Sequence, residues 1–336
     1  MKPEVDVLRL TRELVDIPSV TGEEFEIGNS LGELLNRLGY YVELQDIADE
    51  RANIIATTEA PARVVLSTHM DTVPPFIAST EDDEFIYGRG ACDAKGIIAA
   101  QIAAAEKLRV DGINEIGLLF TVDEEVASAG ARLANEHRVA QSCEFMINGE
   151  PTDNRLAVGT KGSLQVKVTT SGRAAHSAYP EEGESAIETL LDLLQDVRTT
   201  DWPSNEKFGE TTCNIGVISG GTRANVISDQ AQATLQLRLA ENAAATKTLL
   251  ETRINGRGKL EYTSVHDPVK LLTVDGFETM LARFTTDIPY LSNWGEPLLI
   301  GPGSILVAHT AGERVAKSEL LRAVEIYADL ARRLLK

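Results

Sequence analysis

Apolar positions along the chain follow two periods. Val7, Leu10, Leu14 and Ile17 recur at helical spacing and Pro18 ends the run, which predicts a first helix. A second helix is predicted from TGEE, where Thr21 and Glu24 have capping-box spacing, to near Gly39. Strands are predicted over 41–46, over 53–58 (NIIATT) and over 63–70 (RVVLSTHM). An Ala-rich helix from about Lys95 to Leu108 follows, then a strand over 116–122, a helix around 128–137 and a strand, EFMINGE, ending at Glu150. These strands are almost continuously apolar and alternate with helices, the signature of a largely parallel sheet covered on both faces.

The texture changes after GTKG at 159–162. SLQVKVTTSG alternates polar and apolar residues, so that strand has one wet face. A helix (ESAIETLLDLLQDV), two strands (TTCNIGVISGG and QAQATLQLRLA), a helix over about 243–254 and a strand near 259–265 follow. This β-α-β-β-α-β order is the ferredoxin-like pattern. The expected organisation is an α/β domain, residues 1–162 and 270–336, interrupted by an inserted α+β domain, residues 163–269. An amphipathic helix over 317–335 returns to the first domain, and TEDDEF at 80–85 reads as a solvated hairpin turn.

Composition adds limits. A chain of 336 residues with 43% hydrophobic and 25% charged residues is an ordinary globular protein of two-domain size. Its net charge of −19 argues against nucleic acid or an anionic membrane as partner, and is compatible with carboxylates that hold cations. Cys92, Cys143 and Cys213 are odd in number and in no CxxC pattern, which predicts reduced thiols and a cytoplasmic location. MKPEVDVLRL has no signal-peptide apolar region, and no run of 18 apolar residues predicts a membrane span.

The candidate chemistry sits where apolar strands end. His69 and Asp71 follow RVVLST, Asp93 follows GRGAC, Glu124 and Glu125 follow IGLLFTVD, and Glu150 follows EFMIN. Ligands of open α/β sheets bind outside the carboxyl ends of the strands, so these groups would meet at one rim, with His309 of GPGSILVAHTAGE a further member. Singly, each has a plainer explanation. A strand-end His is usually structural, an Asp before a helix is usually its N-cap, and acids after a strand commonly lead into the next helix. Together, imidazoles and carboxylates suit a pair of divalent ions. His137 and His266 read as a helix-surface and a strand-end residue without a role.

STHMDTVP, YGRGACDAKG, FTVDEE, INGEPT, GRAAHSAYPEEGESAI, GGTRANVI and GPGSILVAH, in that order, resemble the M20 metallopeptidase/deacylase family along nearly the whole chain. The resemblance implies a zinc-hydrolase domain with an inserted lid and dimerisation domain, and two Zn²⁺ per subunit, with Co²⁺ able to substitute. It implies Asp93 as the bridging ligand, His69 and Glu150 completing one site, and Glu125 and His309 completing the other. Asp71 would hydrogen-bond His69, and Glu124 would be the general base. A cis peptide often follows the bridging Asp of the family, here Asp93–Ala94. In the insert, His176 matches the histidine that stabilises the oxyanion, and Asn225 and Arg238 match positions that hold the substrate carboxylate. Gly159, Gly162 and the Gly-Pro pairs look like hinges. Glu150 and DAKG lean toward N-acetylornithine or N-acetyl-lysine deacetylases. The alternatives are succinyl-diaminopimelate desuccinylase, a carboxypeptidase or dipeptidase, and, from another class, a metal-retaining protein without turnover. The implied partners are an N-acyl amino acid or dipeptide and a second copy of the chain.

Overall fold

The computed structural model describes residues 5–48 and 50–336. The chain forms two compact units, one of Met1–Val158, Leu271–Met280 and Thr286–Lys336, the other of Gly159–Lys270 and Leu281–Thr285.

The first unit is built on a six-stranded sheet. Its order is Tyr41–Ala48, Arg51–Thr57, Ile116–Thr121, Val64–His69, Phe145–Asn148 and Glu296–Leu299. The last four are mutually parallel, and their carboxyl ends line up, with His69 opposite Thr121 and both Ser67 and Leu299 opposite Asn148. That alignment makes one rim from chemically rich loops. The sheet is not parallel throughout. Arg51–Thr57 runs against Ile116–Thr121 and pairs antiparallel with Tyr41–Ala48, because so short a connection leaves no room for a crossover.

Every residue of Val64–His69 and Ile116–Thr121 is buried. Helix Lys95–Val110 packs on both strands and is flanked by helices Val7–Val15 and Lys317–Leu334. Its Ala-rich sequence is apolar nearly all round, as a helix enclosed on several sides requires. The 128–137 segment is shorter than its pattern suggests: a helix over Ala129–Ala134, then a 3₁₀ turn over Arg138–Ser142. His137 caps that turn; it is buried, with Nε2 2.9 Å from Glu43 Oε1, and is no surface residue.

The capping box at Thr21 and Glu24 does not form. Helix Phe25–Leu38 starts without a side-chain cap. Thr21 donates its hydroxyl to Asp71 Oδ2 at 2.8 Å, and Glu24 accepts from the backbone N–H groups of Gly22 at 2.9 Å and Asp123 at 3.2 Å. Thr21 goes to a distant partner, and Glu24 divides its oxygens between the nearby Gly22 and the distant Asp123.

The second unit has a four-stranded antiparallel sheet ordered Thr212–Gly220, Gln230–Leu239, Gly162–Ser171 and Lys259–His266. Helices Ala186–Arg198 and Ala243–Ile254 supply Leu190, Leu193, Leu250 and Ile254 to a core with Val166, Val168, Leu235 and Leu237. The alternating strands thus bury one face, as period two dictates. Gly159 and Gly162 are needed for close packing and not for torsional freedom. A Cβ on them would stand 2.6 Å from the Val269 carbonyl oxygen and 2.4 Å from that of His266.

Candidate metal centre

At the rim of the parallel strands, one donor atom each from His69, Asp93 and Glu125 lie within 4.8 Å of one another. Asp93 uses its two oxygens separately. Oδ1 is 3.0 Å from His69 Nε2 and Oδ2 is 3.3 Å from His309 Nε2. His309 Nε2 is also 2.9 Å from Glu125 Oε1. Glu150 is buried beside them, where the charges of Asp93, His69 and Glu125 act on it. The rim therefore brings His69, Asp93, Glu125 and His309 into direct contact, with Glu150 near enough to feel their charges.

Two of the plainer explanations, those for Asp93 and for Glu124 and Glu125, fail on local geometry. Helix Lys95–Val110 is entered through Ala94 with no side-chain cap, so Asp93 is not an N-cap; the Asp93–Ala94 peptide bond is cis. The helix after the acids begins at Ala129 with no acidic residue in its first turn. Instead the chain turns sharply at Asp123, which takes a left-handed φ of +67°. Asp tolerates that region better than most residues. Its carbonyl and carboxylate then accept from Ala127, Ser128 and Ala129 N–H.

The turn leaves the next two N–H groups facing Asp71. Its Oδ1 accepts from Glu124 N–H and its Oδ2 from Glu125 N–H, both at 3.1 Å. Asp71 also serves His69, mostly through its backbone: Nδ1 is 3.0 Å from the Asp71 carbonyl oxygen and 3.4 Å from Oδ1. An Nδ1–H donated there leaves Nε2 as the free lone pair. Asp287, which the sequence pattern did not flag, accepts from Thr121 Oγ1 at 2.7 Å.

Electrostatics at the rim are unbalanced. Burial, abetted by Asp93, raises the Glu150 carboxyl well above its ordinary range. Burial also raises Asp287, to about 6, against its hydrogen bonds. Against the cost of burial, Asp71 and Asp93 hold the His69 imidazole well above its usual value, and hydrogen bonds accepted by Asp93 and Glu125 push His309 up to about 10. An uncompensated buried carboxylate costs several kcal/mol, and here Asp93, Glu124, Glu125 and Glu150 share two imidazoles. Divalent cations fit this set. Two ligands at about 2.0–2.2 Å from one tetrahedral ion stand roughly 3.3–3.6 Å apart, close to the donor spacings across Asp93.

His176, Asn225 and Arg238 belong to the second unit. His176 pairs with Val226 and Ser177 N–H donates to the Asn225 carbonyl, so the two segments lie side by side. His176 is exposed and its Nδ1 accepts from Ala178 N–H at 3.1 Å, which puts the proton of the neutral ring on Nε2. Arg238 stands opposite Thr212 and Ser163; it is half-buried and has no hydrogen-bond or ion-pair partner among the described residues.

Comparison with known proteins adds a second line of observation. Residues 158–258 match a family profile described as a peptidase dimerisation domain. A peptidase M20 domain-containing protein of Schizosaccharomyces pombe is 36% identical over 333 residues, covering 96% of this chain and 83% of the relative. A probable carboxypeptidase of Aspergillus clavatus is 35% identical over 360 residues, 96% of this chain and 87% of its own length. The fold matches a crystal structure of a tripeptidase from Staphylococcus aureus with a TM-score of 0.81 at 24% identity, over 98% of this chain and 99% of that one.

Proposed function

The chain belongs to the M20 metallopeptidase family, and from that premise we propose a two-zinc amidohydrolase that removes a small acyl group from N-acyl amino acids, N-acetylornithine and N-acetyl-lysine foremost. The observation that carries the reading is Asp93, whose two oxygens face two different histidines. One ion would be held by His69, Asp93 and Glu150, the other by Asp93, Glu125 and His309. Such a pair supplies electrophilic activation of the amide carbonyl and acidifies the attacking water.

The chain's own groups do the rest. Glu124 accepts the proton of the attacking water at its carboxylate and returns it to the departing amine nitrogen. Its carboxylate accepts no hydrogen bond among the described residues, and burial pushes it well above its ordinary range against the pull of His69. Asp71 fixes the turn that carries Glu124 and Glu125 by accepting from both backbone N–H groups. His176, with Nε2–H outward, would donate to the oxyanion. Asn225 and the unpaired guanidinium of Arg238 would hold the substrate carboxylate, for which a planar fork is suited.

The acetyl and basic preference rests on Glu150, on DAKG after Cys92 and on the charge of −19. Comparing kcat/KM for N-acetylornithine, N-acetyl-lysine, N-succinyl-diaminopimelate and dipeptides should rank the acetylated basic amino acids first. Preference for the succinyl compound would replace the substrate and leave the chemistry standing. The second reading is a carboxypeptidase or dipeptidase, favoured by the name of the Aspergillus relative; a dipeptide ranked first would establish it.

The second unit would pair two subunits. Strand Thr212–Gly220 lies at the sheet edge with Val217 and Ile218 exposed, and Leu191 is exposed on the helix of the same unit. In such a dimer each subunit would lend His176 to its neighbour. Mixing Glu124→Gln with His176→Ala protein then builds one complete site in each mixed dimer. Half of a freely exchanged equal mixture is mixed, so activity should recover to about a quarter of wild type. Recovery that never rises above the separate mutants, with exchange verified by mass, rejects the sharing.

A further inference from the structure

Glu313 lies four residues beyond His309, is buried, and has no role in the chemistry above. Its Oε1 accepts from three backbone N–H groups at once: Gly90 at 2.8 Å, Cys92 at 3.2 Å and Asp93 at 3.1 Å. Its Oε2 pairs with the buried guanidinium of Arg89, whose Nη1 also reaches the Thr310 carbonyl oxygen at 3.4 Å. Gly88 N–H donates to the Glu313 carbonyl, closing the link from the other side. The segment that ends in Asp93 is thereby tied to the segment that begins with His309. Three N–H groups converge on one oxygen only because the chain turns tightly at Gly90, where φ is +88° and a Cβ would meet the Lys95 side chain at 2.8 Å.

A buried ion pair contributes little net stability, because desolvating both charges costs several kcal/mol. What this one supplies is geometry. We propose that Glu313 is a positioning residue for the metal centre: it fixes Asp93 relative to His309, so that each oxygen of Asp93 meets its own histidine. The inference rests on the metal-centre reading above and deepens it. Glu313 acts through the Asp93 backbone N–H, and Arg89 acts through Glu313.

Glu313→Ala and Glu313→Gln in the full chain test it, with three readouts. These are zinc affinity by competition with a chromophoric chelator, the visible bands of Co²⁺-loaded protein, and the melting temperature of metal-free protein. Glu313→Ala should lose about 10- to 100-fold in zinc affinity, as partners behind metal ligands typically do, and should shift the Co²⁺ bands. Glu313→Gln keeps an acceptor for the three N–H groups but sets an amide N–H₂ against Arg89, so it should fall between alanine and wild type. A lowered melting temperature with wild-type affinity and bands in both variants would mean that Glu313 merely stabilises the fold, and overturns the inference. If Glu313→Ala does not fold, Glu313→Gln decides by the same criterion. Wild-type protein that binds no divalent ion overturns this inference together with the metal-centre reading. Wild type that binds two ions, matched by both variants, overturns this inference alone.

Discussion

Glu124→Gln is expected to keep the fold and bind metal like wild type while kcat falls by about two to four orders of magnitude, the range general acid–base catalysis contributes. The amide is nearly isosteric with the carboxylate but accepts no proton at neutral pH. The backbone N–H of residue 124 still reaches Asp71 Oδ1, so the loop that carries Glu125 stays in place. KM should change little, because the group acts in the transition state and not in ground-state binding. Glu125→Gln is the contrast. It weakens the contact with His309 Nε2 and should lower metal affinity, with activity restored in part by excess zinc. A Glu124→Gln protein nearly as active as wild type would show that the roles within the pair are exchanged or wrong.

Removing Asp93, the proposed shared ligand, should have an effect as large by a different route. Zinc-loaded wild type should approach two equivalents per subunit by elemental analysis, since the five candidate ligands exceed what one tetrahedral site takes from protein. Asp93→Asn should hold at most one tightly bound ion and lose nearly all turnover. Its side chain offers one neutral oxygen where the wild type turns a charged oxygen to each histidine. The amide also loses the negative charge that offsets the imidazoles, so affinity should fall for the ion that remains. Wild type that saturates at one equivalent with full activity would sink the two-site arrangement. Asp93→Asn protein that still binds two ions would show that the bridge lies elsewhere.

Much of this was legible along the chain. Periods of 3.6 and 2 marked the helices and strands, since each depends on residues a few positions apart. The change from continuous apolar runs to alternation at Gly162 reported a sheet buried on both faces giving way to one with a wet face. Parallel strands end at a common rim, so polar residues after apolar runs were already a short list of what could meet there. All of His69, Asp93, Glu125, Glu150 and His309 came from that list or its match to known motifs.

Which atoms hold those residues was decided by the tertiary structure alone. Thr21 and Glu24 have capping-box spacing, yet their side chains go to Asp71 and to the Asp123 amide. The local pairing offered a helix start about 1 kcal/mol, while an amide or carboxylate left unmatched in the interior costs more. Asp287 and Glu313 end ordinary stretches, TTD and HTAGE, with nothing in spacing or composition to mark them. Their partners, Thr121 and the amides of Gly90, Cys92 and Asp93, are more than 150 residues away in sequence. A periodic pattern encodes which face of an element is buried. It carries no record of which distant polar group arrives at that face, because that is set only when packing brings two loops together and every buried donor must find an acceptor.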